Sequence, residues 1–349
     1  MPPDLSVIAG PYLRDILDQP AALERTLLKL QPSPDIEKLG RHLRAGKFRR
    51  VVLTGMGGSL HALYPLRLEL IAHGLTAMMV ETSELIHYER PLLNPASLVV
   101  AVSQSGCSAE IVNLLQKNRG RAPLIGVTNT PDSPLARRAD ATIVTDAGSE
   151  FSVSCKTYVT TLMALHWLAA TLCGKDLRRR RQELSKVMPA ATAYLANWES
   201  HVHYLAARFT GVDNVFLTGR GASLAAAATG GLIIKESDHV HAEGMSSAAF
   251  RHGPFEMVGP RTSVLIFSGD VATRGINEKL ARDIRDKDGR AELVSEQAEV
   301  GALRLPAVPK GIRPLVEILP VHMLTLALGA LAGREPGRFS FVSKVTADE

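Results

Sequence analysis

The chain has 349 residues, 46% hydrophobic and 21% charged, which fits a globular protein with about two domains that each bury a core. Its 40 basic and 35 acidic residues leave a net charge of +5, and the densest basic run, Lys175 to Arg181, has no interleaved aromatics. It reads as a solvated helix end, which argues against a nucleic-acid partner. Three cysteines without a C-x-x-C argue against a disulfide framework or a zinc site. Met1-Pro2-Pro3 opens no leader peptide, and no apolar run of ~18 residues is apparent, so the expectation is a cytoplasmic protein without a membrane span.

Residues 1–45 have helical spacing (Ile16, Leu17, Leu23, Leu27), broken by Pro20, Pro32 and Pro34. Val51-Val52-Leu53-Thr54 is a short strand that stops at Gly55-Met56-Gly57-Gly58-Ser59 before a helix to His73. Thr76–Glu81, Leu98–Val102, Pro123–Thr128 and Ala141–Thr145 read as further strands, and Lys156–Leu172 as a long apolar helix. Strands alternating with helices predict a parallel sheet covered on both faces.

Residues 175–210 read as a helical connection, after which the pattern restarts. Val215-Phe216-Leu217-Thr218-Gly219-Arg220-Gly221-Ala222-Ser223-Leu224 echoes Val51 to Leu60. The expected architecture is therefore α/β, two tandem doubly wound modules, each a parallel sheet flanked by helices. The boundaries read as a helical segment 1–40, a first module 41–175, a connection 176–210 and a second module with tail 211–349. In the second module the strands are expected at Ser263–Phe267, Ala291–Val294 and Leu315–Leu319, with a helix around 274–288 and another over Val321–Leu331.

The strand Leu98–Val102 runs into Ser103-Gln104-Ser105-Gly106-Cys107-Ser108, and a helical pattern follows. The turn sets three hydroxyls, an amide and free backbone N–H groups at a helix N-terminus, which suits a phosphate. An ordinary strand-to-helix loop with a Ser cap fits the same residues. G-x-x-x-x-G-K-[ST] is absent, which argues against nucleotide triphosphate hydrolysis. The two Gly turns lack G-x-G-x-x-G, which weakens a dinucleotide site, while Ser59 can form a second wall for a ligand of the Ser-rich loop. The second module has Phe267-Ser268-Gly269-Asp270 where that loop would recur.

Glu236 follows the apolar Leu232-Ile233-Ile234, and an apolar wall raises a carboxyl pKa toward that of a general base; a surface carboxylate is the alternative. His252, ahead of Gly253-Pro254, is a candidate proton shuttle or a turn histidine. His201-x-His203 and His239-x-His241 sit in expected helical context, where a spacing of two does not put both rings on one face, and no metal site is expected. G-x-S-x-G is absent, which argues against serine-hydrolase chemistry.

These motifs resemble the double sugar-isomerase-domain (SIS) family, over about residues 40–349. The motifs are Ser103-Gln104-Ser105-Gly106 with Ser108, Ala147-Gly148-Ser149-Glu150 leading to Cys155-Lys156-Thr157, Gly219-Arg220-Gly221, Lys235-Glu236 with His241-Ala242-Glu243, Arg251-His252-Gly253-Pro254, and Ser343-Lys344-Val345-Thr346. The resemblance extends to the isomerase half of glutamine–fructose-6-phosphate aminotransferase and to the stand-alone aminosugar-phosphate deaminases and isomerases. It implies that Ser59, Ser103, Gln104, Ser105 and Ser108 bind a sugar phosphate, that Glu236 moves the proton between adjacent carbons, that His252 opens the sugar ring from the other subunit of a homodimer, and that Lys344 sits at the site. It implies no cofactor.

Three departures shape the expected function. No glutaminase fits before residue 40; Ile233 stands where the synthase has a Lys; and the Ser-Lys-Val-Thr tail is closer to the deaminases, which leaves Lys344 open to a one-residue shift. The expectation is an aminosugar-phosphate deaminase/isomerase acting on a hexosamine 6-phosphate. Another phosphosugar ketose/aldose isomerase, a fructosamine-6-phosphate deglycase and a non-catalytic phosphosugar sensor are the alternatives.

Overall fold

The computed structural model describes residues 3–341 and 344. The chain divides into two compact units. One contains 21–150, 156–185 and the described tail residues 341 and 344; the other contains 3–20, 151–155 and 186–340.

The first unit is built on a five-stranded parallel sheet of order β2-β1-β3-β4-β5. Its strands are β1 (Arg50–Gly55), β2 (Ala77–Glu81), β3 (Ser97–Val102), β4 (Leu124–Thr128) and β5 (Ala141–Val144). Every residue of β3 is buried, which explains why its sequence is an unbroken apolar run rather than an alternation. One face packs Val99 and Ala101 against Ile111, Leu114 and Leu135. Each such aliphatic side chain, fully buried, stabilises the fold by ~1.5–3 kcal/mol relative to exposure. The helix Lys156–Cys173 packs with Pro34–Arg44 and Leu63–Ala72. It is buried from Lys156 to Leu172 and therefore shows no amphipathic stripe.

The second unit carries a four-stranded parallel sheet of order β7-β6-β8-β9, with β6 (Asn214–Gly219), β7 (His241–Ser246), β8 (Thr262–Phe267) and β9 (Arg290–Val294). The two segments that match in sequence are β1 and β6, which hold the same place in the two strand orders. Phe216 and Phe250 meet edge to face at 5.1 Å and pack with Val264, Ile266, Leu280 and Ile284.

Three local expectations are corrected. Leu315–Leu319 is not a strand: Pro314–Glu317 and Leu319–Leu331 are helices. Pro314 at the helix start has its φ already suitable and its missing N–H harmless there. A short apolar run does not by itself tell helix from strand. His239 and His241 do not share a helix either. His239 is the left-handed cap (φ 53°) that ends Leu224–Asp238, and His241 opens β7. Finally, Pro314–Leu331 does reach the length and apolarity of a span, with mean hydropathy 1.7, but it is 94% buried and is a core helix pair.

Candidate active site

In the five-stranded sheet the chain leaves β1 toward β2 on one side, and leaves β3 toward β4 on the other. Ligands of open α/β sheets bind at such a reversal, above the carboxyl ends of the strands. β1 and β3 end side by side, so close that a Cβ on Gly55 would stand 3.0 Å from the Val102 carbonyl. Ser59 lies in the short helix Gly57–His61 that follows β1, and residues 103–108 follow β3. The structure thus brings Ser59, Ser103, Gln104, Ser105 and Ser108 to one edge of one sheet.

The loop after β3 is held rigidly. Ser103 Oγ accepts from Gly106 N at 3.1 Å, and Ser105 Oγ from Cys107 N at 3.3 Å. The Gln104 carbonyl accepts from Asn129 N at 3.0 Å and from Thr128 Oγ1 at 3.1 Å, which ties the loop to the end of β4. Gly106 is left-handed at φ 65°, and a Cβ there would stand 2.2 Å from Ser133 Oγ. Ser103 is buried and braces the loop, whereas Gln104, Ser105 and Ser108 keep partial exposure. Ser108 caps Ala109–Asn118 by backbone position alone, and its hydroxyl makes no capping bond. The open N–H groups of that helix end carry partial positive charge, which suits an anion.

Lys344 belongs to the same unit. Its Nζ donates to the Glu150 carbonyl at 2.7 Å and lies 3.1 Å from Glu150 Oε2. Glu150 in turn accepts from Thr157 N at 2.9 Å and Thr157 Oγ1 at 2.6 Å, at the start of the helix Lys156–Cys173. Glu150 and Thr157 belong to the quoted motifs, but the sequence gives no sign that Glu150 fixes Lys344. The two residues are 194 positions apart. Ser343, Val345 and Thr346 of the tail motif lie outside the described residues.

Glu236 and His252 belong to the four-stranded unit. Glu236 sits on the helix Leu224–Asp238, one turn beyond the buried Ile233. That helix lies directly on β7. A Cβ on Gly231 would be 2.3 Å from Gly244 N, and one on Gly244 would be 2.0 Å from the Ala227 carbonyl. The two glycines are the sequence signal for this contact, and they set the height of the helix above the sheet. Burial pushes the Glu236 carboxyl up to about 7, with exposed Lys235 pulling weakly the other way. Asp238 is pushed up to about 8 by its own burial, although Ser237 Oγ donates to it at 2.5 Å.

His252 is exposed at the end of the helix Ser247–Arg251. The chain just before it is anchored by buried Phe250 and by Arg251 Nη2, which donates to Asp283 Oδ2 at 2.6 Å. The imidazole itself has no polar partner among the described residues, so it is presented to solvent on a fixed base.

A strand-to-helix loop at a sheet reversal places the first unit among open, parallel α/β folds whose ligands lie above the carboxyl ends of the strands. Residues 47–171, which span the five-stranded sheet, match the SIS domain family, and the four-stranded sheet repeats the order β2-β1-β3 as β7-β6-β8. The glutamine–fructose-6-phosphate aminotransferase (isomerizing) of Pyrococcus horikoshii is 29% identical over 342 residues, covering 93% of this chain and 56% of that protein. The chain thus spans about half the length of the curated relatives it matches. Among solved structures, a candidate phosphosugar isomerase from Silicibacter pomeroyi is 28% identical with a TM-score of 0.77, covering 93% of this chain and 99% of that one. The C-terminal domain of glucosamine-fructose-6-phosphate aminotransferase from Francisella tularensis shares the fold, with a TM-score of 0.84 at 21% identity over 95% and 99% of the two chains.

Proposed function

We propose that the protein is a sugar-phosphate isomerase/deaminase that converts a hexosamine 6-phosphate to the ketose 6-phosphate with release of ammonia. The observation that carries this reading is Glu236, a carboxyl held at about 7 beside the buried Ile233. A carboxyl tuned to neutrality accepts and returns a proton at working pH with the smallest penalty. The names of the relatives, which join fructose 6-phosphate to amino-group transfer and isomerisation, support the substrate class.

In this reading the phosphate rests on residues 103–108, with Ser59 as the second wall. His252, supplied by a second copy of the chain, moves the ring proton and opens the sugar. The Glu236 carboxylate takes the proton from C2, and the released electron pair forms a C1–C2 double bond as the C1 oxygen gains a proton. The Lys344 ammonium, fixed by Glu150, offsets the charge that develops on that oxygen. Return of the proton to C1 leaves a C2 imine. Water adds, ammonia leaves, and the ketose phosphate remains. The steps need no metal and no redox partner.

The test is incubation with glucosamine 6-phosphate, reading ammonia and fructose 6-phosphate, alongside a panel of hexose 6-phosphates and phosphorylated fructosamine adducts. Ammonia release abolished by Glu236→Gln is the expected result. Turnover of another panel member alone assigns the isomerase or deglycase reaction instead. A phosphosugar that raises the melting temperature without turnover makes the protein a sensor.

A further inference from the structure

The four-stranded unit has a chain reversal of its own. The chain leaves β6 toward β7 on one side and leaves β8 toward β9 on the other. The turn after β6 repeats the turn after β1, with Arg220 in place of Met56. The loop after β8 is Ser268-Gly269-Asp270, without the run of hydroxyls that follows β3. In their place the reversal gathers guanidinium groups.

Arg220 is the first residue beyond β6, and Arg274 lies in the first turn of the helix Val271–Arg285, which follows β8. The Nε atoms of both are shut away from solvent and have no hydrogen-bond partner in the protein. Two of the acids nearby are engaged elsewhere. Asp270 caps Ala272 N and Thr273 N, and Glu296 lies 3.3 Å from Arg313 Nε. Arg313 is a third guanidinium at this edge, nine-tenths buried, and its Nη1 donates to the Gly269 carbonyl at 2.7 Å.

Two fully buried side chains add unused acceptors. Asn277, one turn beyond Arg274, gives its Nδ2 hydrogens to the Phe267 and Ser268 carbonyls at 3.0 and 3.2 Å, and its Oδ1 has no partner. Glu317, one turn beyond Arg313, accepts from Ser223 Oγ at 2.8 Å through Oε1, and its Oε2 has no partner. Enclosed polar atoms without partners cost free energy, and a chain keeps them where something else completes them.

We propose that this second reversal is a binding site for a phosphorylated polyol, distinct from the site on the five-stranded unit. Guanidinium forks match phosphate oxygens two at a time. The free Asn277 and Glu317 oxygens match the hydroxyls of the carbon chain, which a bare inorganic anion would leave unpaired. The site holds its ligand mainly by charge, where the Ser103–Ser108 loop holds an anion by neutral donors.

The test counts ligands on the full chain by equilibrium dialysis with radiolabelled phosphate and, separately, fructose 6-phosphate. The double variant Arg220→Met, Arg274→Gln places the first module's own residue at the turn and keeps side-chain bulk. Ser105→Ala with Ser108→Ala weakens the other loop. The expected result is loss of one bound equivalent per chain in the arginine variant, at an unchanged melting temperature. That equivalent survives in the serine variant, and fructose 6-phosphate binds it at least tenfold more tightly than phosphate does. The same ligand count in wild type and arginine variant overturns the proposal. So does loss of that equivalent in the serine variant alone. The count is independent of turnover, so it stands or falls apart from the deaminase assay.

Discussion

Gly106 is the most demanding position of the loop after β3, and Gly106→Ala tests whether the loop is built as described. Two costs arise. An L residue at φ 65° carries a penalty of about 1–2 kcal/mol. The new Cβ would also meet Ser133 Oγ at 2.2 Å, Ser133 Cβ at 2.6 Å and Thr128 Oγ1 at 2.9 Å. Neither neighbour can yield freely. Ser133 Oγ caps Ala136 N at 3.2 Å, and Thr128 Oγ1 accepts from Thr130 N at 3.2 Å while it donates to Gln104. Overpacking of this kind adds about 1–3 kcal/mol, for a total of about 2–5 kcal/mol. At roughly 2–4 °C per kcal/mol, the melting temperature of this unit falls by about 4–20 °C. Whatever shift relieves the clash pulls Gln104 off Asn129 and Thr128, so affinity for a phosphorylated ligand falls as well. Ser133→Gly in the Gly106→Ala background removes the two closest contacts, leaves the Thr128 contact and the backbone cost, and forfeits a few tenths of a kcal/mol of capping, so it should restore less than half of the lost stability. Calorimetry together with a phosphosugar binding isotherm reads both effects. Melting and affinity within error of wild type in Gly106→Ala would refute the left-handed, tightly enclosed loop.

The Glu236 carboxyl, raised by burial to about 7, makes turnover rise with pH through a midpoint near 7 to a plateau and lie about tenfold below that plateau one unit under the midpoint; a limb near the ordinary carboxyl value of 4.5 would contradict its burial. The same raised value means that its stabilising contribution is present below about 4.5 and lost as pH rises through 7, so Glu236→Gln should unfold later in urea than wild type at pH 8, by about 2–3 kcal/mol. His322 behaves oppositely. It is fully buried beside Gln19 Nε2, and burial pushes it down to about 3, so the neutral ring favours the fold above 6.5 and that contribution drains away as pH falls toward 3. Between pH 7 and 5 it should cost about 2 kcal/mol, read as a urea midpoint shift that His322→Gln lacks; equal acid losses in both proteins would remove His322 as the cause.

How much of this could be read from the sequence follows from how local each cause is. The loop 103–108 was legible because its strand, hydroxyls and helix start are consecutive, and a buried parallel strand must be an apolar run. The environment of Glu236 was legible because Ile233 and Ile234 share its helix. β7 was not. Its sequence, His241 to Ser246, has one buried position, Ala242, because it pairs on one side only and meets its helix through Gly231 and Gly244. Glycine contact leaves no hydrophobic signature. The pairing of Lys344 with Glu150 was equally hidden, since only folding brings together two residues so far apart. Leu315–Leu319 misled because a core helix buried on all sides has no polar face to reveal its period.

The two halves of the proposed chemistry make opposite demands on their surroundings. A phosphate cradle must be rich in unspent donors, as the Ser105 and Ser108 hydroxyls and the open helix end beside them are. A carboxyl held near 7 needs the reverse, a wall such as Ile233 that offers its charge nothing. One loop cannot supply both, because donors close enough to grip a phosphate would also stabilise a carboxylate and pull its pKa back toward the ordinary range. A chain with two related sheets can divide the tasks. In the proposed reaction the five-stranded unit supplies the donors, and the four-stranded unit supplies Glu236 from an apolar setting. On this argument, replacing Ile233 by Lys should lower the Glu236 value and move the rate limb to lower pH, with the phosphate loop untouched.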